Sequence, residues 1–311
     1  MNVLLWGRAE YERHLPEFPE PLRAEVRVVH ALGETAPLEE ADVVVVPSRQ
    51  PVRREHIPRL RRAKLVLTTT SGFDHVDVVG LQAAGIACAR LPLARRDAVV
   101  QTALGMLLSL NRRFGPLQEP AARGHWDRSE LPVYNPTLLG TVGVVGVGVI
   151  GSVMAAQLEH LGARVLRCDP LLRDSLPLDE VVRLADAITL HCELTDENEG
   201  FFDEKRIAAM RPGAVLVNTA RGRLVDTNAA LAAVSTRRLA GLGIDVFPTE
   251  PPPDFARFVG AGCIVTPHAA GWHPGLDAAI AEGIVRAVSA VHAGLPVPYA
   301  LGVGPPSARG S

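Results

Sequence analysis

Residues 140–162 read GTVGVVGVGVIGSVMAAQLEHLG, an apolar run that enters a cluster of glycines and leaves it with apolar residues spaced three and four apart. The valines before the cluster have the composition of a strand buried on both faces, and the segment after it has the period of an amphipathic helix. Between them, Gly146, Gly148 and Gly151 form G-x-G-x-x-G, a weak pattern by itself in a chain with 28 glycines. The strand before and the helix after give each glycine a task. One makes a tight turn, one lets backbone approach a pyrophosphate, and one packs helix closely on sheet. The N–H groups at the helix start, at Val149 and Ile150, then face negative charge. Asp169 closes the next apolar run, RVLRC (164–168), where an acid accepts from ribose hydroxyls. A carboxylate there repels a 2′-phosphate, so the cofactor is read as NAD rather than NADP, with Arg167 and Arg173 flanking the acid.

Working outward, TVGVVG (141–146), RVLRC, AITLH (187–191), AVLVN (214–218), GLGIDV (241–246) and CIVT (263–266) begin 22 to 27 residues apart. That interval holds one crossover helix and two turns, the signature of a parallel α/β sheet. An earlier series, NVLLW (2–6), VRVVH (26–30), DVVVV (42–46), KLVLT (64–68) and IACA (86–89), predicts a second such sheet. The fold class expected is α/β with two doubly wound parallel sheets. Between the series, residues 97–114 are apolar nearly all round and predict a buried helix with Asp97 as N-cap. Residues 115–136 read as a surface excursion, 274–296 as one long helix, and 302–311 as a frayed tail.

Composition narrows the function. The chain has 311 residues with 32 basic and 34 acidic ones, so its formal charge of −2 gives no general attraction to nucleic acid or to an anionic membrane. Cys88, Cys168, Cys192 and Cys263 are scattered singly, without metal or redox spacing, and suit a reducing compartment. No signal peptide and no membrane-spanning run is found, so the expected location is cytoplasmic, with no bound metal.

Three further motifs follow the glycine cluster in order: MRPGAVLVNTARGRLVD (210–226), GLGIDVFPTEP (241–251) and TPHAAG (266–271). Together they resemble the D-isomer-specific 2-hydroxyacid dehydrogenases, and SGFDHVD (71–77), HCELTDENEGFFDEKRIAAM (191–210) and the C-terminal helix extend the likeness over nearly the whole chain. Within the family, CDP (168–170), TTSGFDHVD and HAAGW are similar to the erythronate-4-phosphate dehydrogenase subgroup, whose C-terminal extension has no counterpart here. The resemblance implies a flavodoxin-like substrate domain (1–95 with 274–311), an inserted Rossmann NAD domain (96–273), and a homodimer. It assigns Arg221 to anchoring the substrate, Glu250 to the acid, and His268 to the acid/base. Ser48, Thr70, Ser71, Gly72 and Phe73 are implied around the substrate, with backbone N–H groups of 71–73 on its carboxylate. Cys192, Thr219, Ala220 and Gly271 are implied at the cofactor, and Asp245 near the nicotinamide carboxamide.

The chemistry of those residue types agrees with the likeness. Reduction of a 2-keto acid needs a proton for the carbonyl oxygen, and an imidazolium is the usual donor near neutral pH. A carboxylate on the other ring nitrogen orients the ring and favours its charged form. The planar fork of an arginine suits a carboxylate beside a carbonyl. Four prolines around Glu250 in DVFPTEPPPDF (245–255) stiffen the loop that carries it. Departures from the family pattern are Arg49 two places after Pro47, Leu93 for glycine, Arg95 for asparagine, Gln101 for glutamate and Glu193 for proline. Arg49, Arg90, Arg95 and Arg96 are read as solvated arginines first, and as recognising a second anionic group of the substrate otherwise. Two alternative functions stay open: an NAD-sensing scaffold of the C-terminal binding protein type, and a phosphite dehydrogenase. Formate enzymes of the family carry glutamine in place of the acid, against Glu250.

Overall fold

The computed structural model describes residues 1–7, 16–126, 139–260 and 262–302. The chain separates into two compact units, Met1–Arg95 with His273–Ser311, and Arg96–Trp272.

The strands of the first unit are β1 (Asn2–Trp6), β2 (Arg27–Ala31), β3 (Val43–Val46), β4 (Leu65–Thr68) and β5 (Ala87–Arg90); those of the second are β6 (Thr141–Val145), β7 (Arg164–Cys168), β8 (Ala187–Leu190), β9 (Ala214–Asn218), β10 (Leu239–Ile244) and β11 (Cys263–Val265), and β12 (Ala300–Leu301) returns to the first. The helices are α1 (Leu22–Glu25), α2 (Val78–Ala83), α3 (Leu93–Asn111), α4 (Phe114–Ala122), α5 (Val149–His160), α6 (Leu178–Leu184), α7 (Glu204–Ala209), α8 (Thr227–Ser235) and α9 (Leu276–His292).

In the first unit the sheet order is β12-β5-β4-β3-β1-β2, with β1 to β5 parallel. Alternation along each strand divides the core. Val3, Leu5, Val43, Val45, Leu65 and Leu67 pack on Leu276, Ile280 and Ile284 of α9, while Leu4, Trp6, Val44 and Val46 pack on Leu38, Leu60 and Leu81. The four-residue spacing of 276, 280 and 284 puts those side chains on one helical stripe. Ile280 is fully buried, which contributes roughly 1.5–3 kcal/mol relative to exposure. The antiparallel edge strand β12, on β5, has no signal in the sequence because only two residues pair.

The second unit is a wholly parallel sheet of order β11-β10-β9-β8-β6-β7. From β6 the chain winds outward to β7, then crosses back to β8 on the other side, so the winding reverses beside β6. Such a switch point opens a crevice at the strand C-termini.

Two expectations need correction. The long helix starts at Leu93, directly after Pro92, so Asp97 is no N-cap; it lies within the helix and pairs with Arg96 at 2.7 Å. Proline's fixed φ makes it compatible with a helix start. The excursion read over 115–136 begins as helix α4; its part from 127, and the tail from 303, lie outside the described residues. Among the described residues no helix is long and apolar enough to cross a membrane.

Candidate active site

The glycine turn after β6 is built by close approach. Gly146 has φ +84, a left-handed conformation that glycine adopts without a Cβ penalty. A Cβ on Gly146 would lie 2.3 Å from the Cys192 nitrogen, and one on Gly151 would lie 1.9 Å from the Gly146 oxygen. Neither position tolerates a side chain. A Cβ on Gly148 meets nothing within 4 Å, so this glycine keeps open the space in front of α5, where the N–H groups of Val149 and Ile150 begin the helix. Asp169 follows β7, and its carboxylate accepts from Val147 N (2.7 Å) and Leu171 N (2.9 Å), which fixes the acid against the turn. The Thr219 hydroxyl, buried after β9, finds no partner among the described residues. Open space over Gly148, an anchored acid and an orphaned hydroxyl fit a dinucleotide. Burial pushes the Cys192 thiol up to about 12 and lowers His191, bonded to Thr189, to about 4, so neither carries charge near neutral pH.

Arg221, Glu250 and His268 follow β9, β10 and β11 of the same sheet. After β9, Asn218 folds the turn: its Oδ1 accepts from Ala220 N (3.0 Å) and its Nδ2 donates to Arg221 O (2.8 Å). Arg221 Nη1 donates to Ala220 O at 2.7 Å. The next residue, Gly222, lies under the Glu250 loop, since a Cβ there would sit 2.0 Å from the Phe247 carbonyl carbon. The sequence motifs nominate neither Asn218 nor Gly222 for the site. An asparagine accepting from the residue two ahead is a turn signature that the stretch NTARG carries.

Glu250 is held at both oxygens. Oε1 accepts from Phe247 N at 2.9 Å, and Oε2 lies 2.6 Å from His268 Nδ1. Partial burial pushes the Glu250 pKa up, but the bond from His268, the Phe247 N–H and the charges of His268 and Arg221 outweigh it, leaving the carboxyl below its ordinary value. With Nδ1 engaged, His268 Nε2 has no protein partner among the described residues.

His268 is left-handed, with φ +53. A histidine pays a conformational cost there that the surroundings must over-determine. Asp245, 1% exposed, does so. Its backbone oxygen accepts from His268 N (2.7 Å), Oδ1 accepts from Ala269 N (2.7 Å) and the Thr266 hydroxyl (2.6 Å), and Oδ2 accepts from Ala270 N (3.0 Å). Asp245, expected beside the nicotinamide, thus has both carboxylate oxygens engaged by the loop that carries His268. Ala220 and Gly271 border these turns and are buried.

In the first unit, the loop after β4 has a one-sided arrangement. Its five carbonyls from 69 to 73 all accept: Thr69 O from Arg95 Nη1 (2.6 Å), Thr70 O from Leu91 N (3.3 Å), Ser71 O from Arg90 Nη1 (2.8 Å), Gly72 O from the Thr70 hydroxyl (2.7 Å), and Phe73 O from Val76 N (2.8 Å). The N–H groups of Ser71, Gly72 and Phe73 find no acceptor among the described residues. A run of N–H groups left without acceptors is available to an anion, and is a nest in that sense. Arg90 and Arg95, read first as solvated, are half-buried and bond this loop; partners 19 and 26 residues away hold them, which no local pattern announces. Ser48 and Arg49 are exposed after β3.

Residues 104–270 match the model of the family described as D-isomer specific 2-hydroxyacid dehydrogenase, NAD binding domain. The chain is 32% identical over 280 residues to a D-3-phosphoglycerate dehydrogenase of Mycobacterium bovis, covering 86% of this chain and 52% of that relative. It therefore spans about half the length of the mycobacterial relatives it matches. It is 31% identical over 270 residues to a glycerate dehydrogenase of Methylorubrum extorquens, covering 83% of this chain and 85% of the relative. Among solved structures, the D-lactate dehydrogenase of Aquifex aeolicus, complexed with NAD and lactic acid, superposes with a TM-score of 0.78 at 26% identity, over 94% of this chain and 96% of that one. With an NAD cradle at the switch point and this match over more than half its length, the chain belongs to the D-isomer-specific 2-hydroxyacid dehydrogenase family.

Proposed function

We propose that the protein is an NAD-dependent dehydrogenase that interconverts a 2-keto acid and its D-2-hydroxy acid, acting as a reductase. The observation that carries this reading is the 2.6 Å contact of Glu250 with His268 Nδ1, which leaves Nε2 as the nitrogen that gives or takes a proton. When bound, the nicotinamide supplies the hydride that forms the new C–H bond at the carbonyl carbon. His268 Nε2 gives its proton to the carbonyl oxygen as that oxygen gains the electron pair of the C=O π bond; Glu250 holds the imidazolium in place. Arg221 polarises the carbonyl and stabilises the charge developing on its oxygen. The N–H groups of Ser71, Gly72 and Phe73, with Ser48 and Thr70 beside them, take the substrate carboxylate. Gly146, Gly148, Val149, Ile150, Gly151, Asp169, Cys192, Thr219, Ala220, Asp245 and Gly271 surround NAD. The relatives' names suggest phosphoglycerate, glycerate and lactate, and their 2-keto forms, as first substrates to test.

A cytoplasmic homodimer is the accompanying proposal. All four cysteines are free thiols, as a reducing compartment favours. Sedimentation at several concentrations tests the dimer.

The experiment for the activity is oxidation of NADH or NADPH with a panel of 2-keto acids, phosphorylated ones included. NADH is expected to be preferred, and Arg221→Ala and His268→Ala are each expected to lower kcat/KM by about 10³-fold with NADH affinity retained. Full activity in either variant refutes the assignment. Absence of turnover with every acid favours an NAD-sensing scaffold.

A further inference from the structure

We propose that Arg90 and Arg95 are positioning residues that set the orientation and the charge of the carboxylate nest at 71–73; the inference rests on the function proposed above. A loop peptide can turn either its N–H or its carbonyl toward a ligand, and a carbonyl turned outward repels a carboxylate. Here the choice is made from behind. The guanidinium of Arg90 takes the Ser71 carbonyl at 2.8 Å and so sets the peptide that carries the Gly72 N–H, while that of Arg95 takes the Thr69 carbonyl at 2.6 Å, one peptide ahead of the nest, and holds the chain that enters it; both are charge-assisted bonds, about twice as strong as neutral ones. Arg90 also lies over the Phe73 ring, 5.4 Å from its centroid, so one side chain fixes both the peptide and the aromatic of the nest.

The Gly72 carbonyl is fixed by a chain of hydroxyls whose proton directions follow by elimination. The Thr70 hydroxyl gives its one hydrogen to Gly72 O (2.7 Å), so across the 2.8 Å contact with Thr68 it can only accept. Thr68 then accepts in turn from His75 Nε2 at 3.1 Å, which fixes that nitrogen as the protonated one. Every carbonyl of the segment is taken by a group of known polarity, two of them cationic. The cations bring positive charge to the nest without standing where the substrate carboxylate goes. An arginine at 95 in place of the family's asparagine is therefore a device for binding anions through backbone, set one layer behind the contact.

The test uses Arg90→Met and Arg95→Met, which keep chain length and remove charge, together with the lysine variants. For a 2-keto acid, each methionine variant is expected to raise KM about tenfold, equivalent to about 1.4 kcal/mol, with kcat at saturation within about twofold. KM for the methyl ester of the same keto acid, which lacks the carboxylate charge, is expected not to move. Lysine is expected to restore part of the loss, since it returns charge without the fork. A lowered melting temperature with KM unchanged for the acid, or an equal rise in KM for acid and ester, overturns the clamp alone. Wild-type protein that reduces no keto acid overturns the function and the clamp with it.

Discussion

Two strand-end loops of this molecule are held by buttresses of opposite charge, and they present opposite things. The 69–73 loop of the first unit has its carbonyls taken by arginines, a hydroxyl and backbone N–H groups, and leaves N–H groups without acceptors. The 266–270 loop of the second unit has its N–H group at 268 taken by the Asp245 carbonyl and those at 269 and 270 by the Asp245 carboxylate, and carries an imidazole instead. In the clamp proposed above, cations behind a loop fix its carbonyls and leave its N–H groups to an anion. A buried anion fixes N–H groups and turns the backbone into a mount for a side chain. The sign of the buried partner decides which of the two a loop becomes.

That contrast breaks most visibly at Asp245. Asp245→Ala leaves the Thr266 hydroxyl and two N–H groups without their acceptors, at about 1–3 kcal/mol each. The expected outcome is a loss of several kcal/mol in denaturant unfolding and a fall in kcat of about 10²-fold, as His268 leaves its left-handed setting. Unchanged unfolding and turnover would show that the loop holds itself.

A smaller effect is expected at Glu250, which sharpens the mount without removing it. In Glu250→Gln the imidazole loses the carboxylate that holds it at Nδ1, and kcat/KM is expected to fall about tenfold. An unchanged kcat/KM would leave Glu250 with no part in the chemistry. The same carboxyl makes a linkage prediction for the wild type. Because its folded pKa lies below the ordinary value of 4.5, its contribution to stability is complete above that value. It is lost as the pH falls through the folded pKa. Unfolding midpoints of wild type and Glu250→Gln are therefore expected to converge in acid, and a constant gap between them would contradict this.

The smallest effect belongs to the neutral part of the receptor loop. Thr70→Val keeps the shape but removes both the bond to Gly72 O and the acceptor of the Thr68 hydroxyl, at about 1 kcal/mol each. KM for the keto acid is expected to rise about threefold with kcat unchanged, well short of either arginine variant. A rise as large as theirs would mean that geometry, not charge, sets the nest.

The sequence legibility of these two loops differs for a physical reason. Both sheets and their apolar strands were readable because strands buried on both faces leave continuous runs such as VVVV at 43–46 and TVGVV at 141–145. The strand-end positions of Arg221, Glu250 and His268 were readable because each sits within a few residues of the strand it follows. The clamp on 69–73 was not, since Arg90 and Arg95 act on carbonyls 19 and 26 residues away and look in sequence like any solvated pair. Asp245 was read for its nearness to a cofactor, and its bonds to residues 21 to 25 ahead were out of view. The two-residue strand β12 and the helix start at Leu93 were missed because short edge pairing and a proline start leave faint marks.

The near-contact at Gly222 has an engineering consequence. With a virtual Cβ 2.0 Å from the Phe247 carbonyl carbon, the turn that carries Arg221 and the loop that carries Glu250 lie back to back with no clearance. Residues 218–222 and 245–251 therefore behave as one transplantable part: a chimera that exchanges either segment with a relative should exchange both.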